Sequence, residues 1–400
     1  MGKVTIYCGI SGCTPDMHRS EWFDRLFNDV PEEGDVKIGP IVRAALLSLI
    51  DDREKRSQDD VTLIGPPISK DDPESRMPGL EELDEGFDAA MLSAITNESL
   101  LLYRCTVVDD DWGYGVVSSP ERPERDNSGH CVSLGPIVMV QTSALSILLH
   151  ATFGRMSAPR FWRLMMVTIR TTAAPSEYII PGINYGALMH ENYVWDQFPH
   201  GTICMESDEV ANLEPLGDEE QVRQTILNQG HYWVWLSPDC FPLQPNSRID
   251  SCPILIEAAS SSLTSAHKLS SIEHVPQELL VLISSQLPLP TFLSLASASR
   301  HLRYKLLGTD SDRNAFARSW MTDHARWYVP LPLHPSLKGA WKKSDYREQE
   351  DEEFTPPKSD VAALDWDYLR RCLASGSMRN RKRIWNVAEQ LEKKTDELGI

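Results

Sequence analysis

The residues that decide the fold run from 272 to 320 and read IEHVPQELLVLISSQLPLPTFLSLASASRHLRYKLLGTDSDRNAFARSW. Pro276 suits the first turn of a helix, where the N–H that proline lacks is not needed. Glu278 then places a negative charge at the positive end of that helix. Apolar residues follow at helical spacing, at Leu279, Leu280, Ile283 and Leu287. This pattern predicts a helix with one apolar face.

Two further helical segments follow the first. Pro288 and Pro290 end the first helix and open a second one. The second helix has its own apolar stripe, made by Phe292, Leu293, Leu295, Ala296 and Leu302. A polar loop over 308–314 leads to a third short apolar turn that contains Phe316 and Trp320. The stretch therefore predicts a compact unit of three short helices.

A unit of this size has more apolar residues than it can cover. Domains near this length bury little area and are marginally stable by themselves. Apolar residues also lie on more than one side of the first helix. Because a large exposed apolar patch usually marks an interface, the surplus apolar surface predicts a protein partner.

The same stretch resembles an F-box. The first half of the family pattern is matched by Val275, Pro276, Glu278, Leu279, Leu280, Ile283 and Leu287. The second half is matched by Phe292, Leu293, Leu295, Ala296, Ala298, Ser299, Arg300, Leu302 and Arg303. Two positions depart from the pattern: Ala298 is smaller than the usual Val or Cys, and Leu302 replaces a common aromatic residue. The resemblance implies docking on a Skp-type adaptor within an SCF ubiquitin ligase.

The resemblance also implies which side chains contact the adaptor. Pro276 would set the entry of the first helix, and the other contacts would come from Leu279, Leu280, Ile283, Leu287, Phe292, Leu295 and Ser299. Some of these residues must face the core of the unit itself, and the sequence does not say which. The alternative interpretation is an ordinary helical hairpin that belongs to a larger core.

The composition of the chain argues against two classes of partner, nucleic acids and anionic membranes. The chain has 400 residues, 41% of them hydrophobic, and a formal net charge of −19. An acidic surface argues against binding to nucleic-acid backbones or anionic membranes, which need Lys and Arg stripes. The first residues lack a secretory signal, and the eight cysteines show no disulfide framework. We therefore expect free thiols and a location in the cytoplasm, the nucleus or both.

The whole chain predicts an α+β fold in three parts. Residues 1–265 form a mixed α+β region of unknown type, 270–322 form the F-box-like unit, and 323–400 form a connector with two helices. In the first part, Pro40 opens a helix, and the charged and turn-rich range 51–80 predicts an exposed loop.

Local patterns place further elements along the chain. Residues 100–108 predict a strand, and 135–154 predict a buried strand followed by a core helix. Asp218 predicts a helix N-cap. The tail over 366–385 resembles the C-terminal end of fungal F-box proteins. Its basic run at 379–383 has two interpretations, a nuclear localisation signal or a solvated helix face.

Enzymatic motifs are absent from the sequence. It contains no P-loop, no nucleophile elbow and no zinc-protease motif. Cys8, Cys13 and His18 are spaced too widely for a typical zinc knuckle, so we assign no metal ligand, no catalytic residue and no cofactor.

The leading hypothesis is an F-box substrate receptor that is not itself an enzyme. It would dock on a Skp-type adaptor and recruit an unknown protein client, recognised by residues 1–265, to the ubiquitin conjugation pathway. Two alternatives stay open. One is an F-box scaffold that acts without a cullin, and the other is a metal-binding or enzymatic N-terminal region.

Overall fold

The structure is a computed structural model of the chain. It describes residues 8–12, 38–54, 60–65, 100–106, 116–118, 129–131, 138–171, 180–186, 211–229, 238–243, 270–337 and 364–400.

The chain divides into two compact units. The first unit contains Met1–Asp239, Pro332–Thr355 and Arg379–Ile400, and the second contains Cys240–Leu331 and Pro356–Met378. The F-box-like stretch lies wholly in the second unit. Met378, where the second unit ends, lies inside the range that the sequence assigned to the C-terminal tail.

The first unit begins, in its described part, with a helix and a central strand. Helix α1 spans Pro40–Glu54, as Pro40 predicts, and strand β1 spans Asp60–Gly65. Val61, Leu63 and Ile64 of β1 are fully buried. The predicted exposed loop over 51–80 is therefore wrong for α1 and β1, because the apolar side chains of β1 outweigh the charges that precede them.

Two strands pair with β1 on either side. Strand β2 (Leu101–Thr106) confirms the strand predicted over 100–108, and its pairing with β1 is antiparallel. Strands β3 (Val116–Ser118) and β4 (Gly129–Cys131) form a separate antiparallel pair. Strand β5 (Val138–Gln141) pairs with the other edge of β1, which gives the antiparallel sheet order β2–β1–β5.

Helices cover this sheet. Helix α2 (Thr142–Ala151) follows β5 directly, which confirms the predicted strand and core helix, and α3 (Ala158–Thr171) comes next. Both helices contact β1. Helix α4 (Glu219–Gln229) packs against α1. The predicted cap is confirmed, because Asp218 Oδ1 accepts a hydrogen bond from the backbone N–H of Gln221 at 2.9 Å.

A distant carboxylate caps α1. Both oxygens of Glu214 accept hydrogen bonds at the N-terminus of α1, from the N–H of Ile41 at 3.1 Å and of Val42 at 2.9 Å. A side chain at Gly39 would collide with this carboxyl group. The pairing satisfies two of the free donors that every helix start leaves and places a negative charge at the positive end.

The second unit is built from short helices. They are α5 (Gln277–Ser285), α6 (Leu289–Ser297), α7 (Arg300–Leu307), α8 (Asp310–His324) and α9 (Trp366–Ala374). Helix α10 follows over Gly376–Leu398, and the division between the units falls within it, after Met378.

The expectation of three helices over 270–322 is wrong, because four are present. Ser299 adopts an extended backbone, and its Oγ accepts from the N–H of Leu302 at 3.1 Å, so a new helix starts where the sequence predicted a continuous one. Thr309 caps α8 in the same way through the N–H of Asp312. The predicted loop over 308–314 is therefore largely the first turn of α8.

Aromatic residues form the core of the second unit. The rings of Phe292 and Phe316 stack with centroids 3.6 Å apart, and the hydroxyl of Tyr368 donates to the carbonyl of Tyr328 at 2.6 Å. Leu280 joins them, and helix α9 adds Leu369 and Cys372. Burial raises the pKa of the Cys372 thiol to about 12, as expected of a core cysteine.

The basic run 379–383 lies in α10. Both interpretations of this run, a nuclear localisation signal and a solvated helix face, need exposed side chains, and two of its arginines are not exposed. Arg381 and Arg383 are buried. Arg383 Nη1 donates to the carbonyls of Ser11, at 2.5 Å, and Tyr185, at 3.3 Å, while Asn380 Oδ1 accepts from its other nitrogens. The two guanidinium groups therefore donate hydrogen bonds inside the first unit and are not part of its exposed surface. Lys382 is the exposed member of the run.

Replacing Arg383 should destabilise the first unit. Arg383→Ala leaves two buried carbonyls without this donor, so we expect a loss of about 2–4 kcal/mol in the free energy of unfolding. Lys382→Ala is the matched control and should stay within about 0.5 kcal/mol of the wild type. Urea unfolding followed by circular dichroism measures both variants, and equal losses would contradict a buried structural role for Arg383.

Candidate docking surface

Helix α5 carries apolar side chains that its own unit does not cover. Leu279 is 51% exposed, Leu282 is 62% exposed and Ile283 is 49% exposed. Their i, i+3 and i+4 spacing puts them on one side of the helix. Leu280 and Ser284 are fully buried on the other side. We call Leu279, Leu282 and Ile283 the outer face of α5.

Other parts of the second unit also expose large apolar groups. Ile272 lies just before α5, Leu293 on α6 and Tyr304 on α7, and each is at least 40% exposed. Single exposed apolar residues are common and need no explanation. Three of them on one side of a nine-residue helix are more informative, because an exposed apolar patch marks an interaction site.

The predicted adaptor contacts fall into three groups, which are exposed, partly buried and fully buried in the structure. Pro276, Leu279 and Ile283 are exposed, whereas Leu287 and Leu295 are partly buried and pack against the core of the second unit. Ser299 is half-buried at the start of α7.

Leu280 and Phe292 are corrections to the predicted contacts. Both are fully buried in the core of the second unit, so neither is free to contact an adaptor. Leu279 and Leu280 face different surroundings, because Leu280 is fully buried whereas Leu279 is about half exposed.

Sequence reasoning missed one residue of the outer face. Leu282 is its most exposed member, yet it is absent from the predicted contacts. Its position three residues after Leu279 was the available signal, since residues that far apart share a helix face. The family pattern drew attention to Leu280 instead.

Hydrogen bonds hold α5 in this orientation near both ends. Gln277 Nε2 donates to Asp312 Oδ1 at 3.0 Å, which ties the first residue of α5 to α8. Just beyond the other end, Trp320 Nε1 donates to the carbonyl of Leu287 at 3.2 Å. Together with the burial of Leu280, these bonds fix which side of the helix turns outward.

A polar network fastens the segment that leads into α5. Glu273 Oε1 accepts from the Ser299 hydroxyl at 2.5 Å, and Glu273 Oε2 accepts from the Ser270 N–H at 2.5 Å and hydroxyl at 2.8 Å. Lys305 Nζ donates to the carbonyls of Glu273 and Val275. We call Ser270, Glu273, Ser299 and Lys305 the entry clasp. It joins residues 270–275 to α7, immediately before Pro276 and α5.

The entry clasp selects the charged form of its carboxyl group. The hydrogen bond from Ser299, followed by those from the backbone and side chain of Ser270, lowers the pKa of Glu273 to about 2. These donors stabilise the carboxylate more than the neutral acid. Ser299 serves two elements at once, because the same hydroxyl accepts from Leu302 N–H to begin α7.

Of Cys8, Cys13 and His18, which the sequence analysis considered as a metal site, only Cys8 lies in the part of the chain that is described. Cys8 is fully buried, and its Sγ accepts from the N–H groups of Ser11 and Gln141, each at 3.4 Å. Cys13 and His18 lie outside the described residues. Across the described ranges, no group of three or more His, Cys, Asp or Glu side chains could hold a metal ion.

None of the described helices is long and apolar enough to cross a membrane. The chain matches no family model, no curated protein and no solved structure. The residue pattern of 272–320 and the geometry of the second unit are therefore the features of this chain that bear on its function.

The entry clasp predicts a pH dependence of stability. The pKa of Glu273 is about 2 in the folded protein against 4.5 for an unperturbed glutamate, so its contribution to the stability of the fold is fully present above pH 4.5. The contribution is lost as the pH falls from 4.5 towards 2. Glu273→Gln should therefore flatten the fall in stability over this range.

Urea unfolding at several pH values between 5 and 2.5 measures the effect. Ser299→Ala keeps the carboxylate but removes its strongest donor, so it should flatten the pH dependence in part. If Glu273→Gln retains the full acid sensitivity of the wild type, the clasp does not stabilise the folded state in the way described.

Proposed function

We propose that this chain is an F-box-type substrate receptor, whose second unit docks on a Skp-type adaptor. In this proposal it recruits a protein client to an SCF ubiquitin ligase in the cytoplasm or nucleus and catalyses no reaction itself. The proposal is supported by the resemblance of residues 272–303 to the F-box pattern and by the outer face of α5.

The observation that carries the proposal is the division of α5 into two apolar sides. An ordinary surface helix of a single domain buries one apolar stripe and covers the opposite side with polar residues. Here Leu280 already supplies the core contact, and Leu279, Leu282 and Ile283 are left about half exposed. A second protein that covered them would remove this apolar surface from water, which is the main driving force of association.

The geometry suits rigid docking. The entry clasp and the Trp320–Leu287 hydrogen bond hold α5 in place before any partner arrives. A surface that is already ordered loses less conformational entropy on binding, so more of the gain from apolar burial contributes to affinity. The net charge of −19 also favours a protein partner over nucleic acid.

Client recognition is assigned to the first unit in this proposal. Its sheet and helices form a separate compact body, as a receptor that holds an adaptor with one part and a client with another requires. Reconstituted ubiquitin transfer with the cullin assembly tests this role. Transfer to a client would support a ligase receptor, and adaptor binding without any cullin activity would favour the scaffold alternative.

Truncating two residues of the outer face should weaken docking without unfolding the protein. Leu279→Ala combined with Ile283→Ala removes apolar groups worth about 1.4 kcal/mol each when covered, so the affinity for a fungal Skp-type adaptor should fall by about 100-fold. Isothermal titration calorimetry with the purified proteins measures the change.

Leu373→Ala is the matched control, since Leu373 is a similarly exposed leucine of the second unit on α9. It should leave the affinity unchanged. If the double variant binds as tightly as the wild type, the outer face is not the adaptor interface.

A further inference from the structure

Ser270 is exposed to solvent and also donates a hydrogen bond to the carboxylate of Glu273, a buried residue. Its side chain is exposed, yet its hydroxyl donates to Glu273 Oε2 at 2.8 Å. Glu273 is only 9% exposed, and it is the acceptor at the centre of the entry clasp. A group added to the Ser270 hydroxyl from solvent would therefore act on a partly buried contact.

We propose that Ser270 is a phosphorylation site and that phosphate at this position opens the entry clasp and weakens docking of the second unit. The inference depends on the proposed function for its consequence, but the opening of the clasp is a property of the chain itself. An acidic residue, Glu273, lies three positions after Ser270, a feature that a kinase with a basic substrate groove can recognise.

The reaction is an ordinary phosphoryl transfer from a nucleoside triphosphate. A bond forms between Ser270 Oγ and the γ-phosphorus, and the bond from that phosphorus to the bridging oxygen breaks. The nucleoside diphosphate leaves, and a base of the kinase takes the hydroxyl proton. The product carries about −1.5 to −2 charges near pH 7 and has no hydroxyl hydrogen to donate.

The added charge falls where the clasp can least accommodate it. The 2.8 Å hydrogen bond to Glu273 is lost, and the carboxylate then faces a second anion at close range. Like charges at this separation repel strongly when one of them is shielded from water. The remaining hydroxyl donor, Ser299, is shared with the start of α7 and cannot compensate for the loss alone.

Lys305 does not rescue the closed form. Lys305 Nζ is already directed at the carbonyls of Glu273 and Val275, so turning towards a phosphate would break those bonds. Among the described residues, His274 Nδ1 contacts the carbonyl of Ser270, and the ring of His301 also lies near Glu273. If Lys305 follows the phosphate, its bonds to the carbonyls of Glu273 and Val275 break. If it does not, the repulsion between the phosphate and Glu273 is left unbalanced, so in either case the segment before α5 is held less firmly on α7.

Phosphoserine placed at position 270 by an expanded genetic code tests the proposal without a kinase. The matched control is phosphoserine at position 271, because Ser271 is also exposed but is not part of the clasp. Hydrogen exchange, measured without any partner, should accelerate at residues 271–275 and at the Leu302 amide for the first protein only. Its affinity for the adaptor should fall about tenfold or more.

A second variant tests whether repulsion between the phosphate and Glu273 is what opens the clasp. In Glu273→Gln the charge that faces the phosphate is absent, so phosphoserine at 270 should change hydrogen exchange much less than it does in the wild type. Equal exchange rates for the proteins modified at 270 and 271 would overturn the proposal. If the unmodified protein fails to bind the adaptor, but phosphoserine at 270 still accelerates hydrogen exchange, the proposed function is wrong and the opening of the clasp by phosphate is supported.

Occupancy is checked on protein purified from its own cells. Mass spectrometry of the peptide that contains Ser270 and Ser271, with fragmentation that separates the two positions, should find phosphate on Ser270. Its absence across growth and stress conditions would overturn the assignment of a modification site.

Discussion

The burial of Leu280 is the constraint on which the second unit depends. Helix α5 has only nine residues, and Leu280 enters a core that also contains the stacked rings of Phe292 and Phe316. Once that side chain is inside, helical geometry turns Leu279, Leu282 and Ile283 away from the core. The residue that completes the fold and the proposed docking surface thus lie on two sides of one short helix.

Polar side chains fix the joints between these short helices. Ser299, Thr309 and Asp365 each accept a backbone N–H at the start of α7, α8 and α9. Such caps stabilise helices that are too short to form alone. Glu273 fixes the segment before α5 in a similar way, because its carboxylate accepts a hydrogen bond from Ser299, the residue that caps α7. Besides the burial of Leu280 and the hydrogen bonds near both ends of α5, this carboxylate therefore contributes to order at the proposed docking surface.

Much of this arrangement could be predicted from local patterns. Pro40, Asp218 and the apolar run over 135–154 predicted elements that the structure confirms, because capping residues and long apolar runs act locally. Pro276 likewise lies immediately before α5, although as its N-cap rather than within its first turn.

Other features required tertiary information. The break between α6 and α7 depends on whether Ser299 caps a helix or continues one, and both are compatible with its sequence context. The burial of Arg381 and Arg383 depends on carbonyls of residues far away in the chain. Which of Leu279 and Leu280 faces outward is likewise decided by what packs against α5, not by the spacing of its leucines.

The central claim is that α5 uses opposite sides for folding and for docking, and one paired measurement tests it most directly. Leu280→Ala should lower the free energy of unfolding by about 2–5 kcal/mol, the usual cost of truncating a buried leucine. Leu282→Ala should cost at most about 0.5 kcal/mol, as for an exposed residue, yet weaken adaptor binding measured on the same preparation. If Leu282→Ala instead destabilises the fold as much as Leu280→Ala and leaves adaptor binding unchanged, the two-sided account of this helix is wrong.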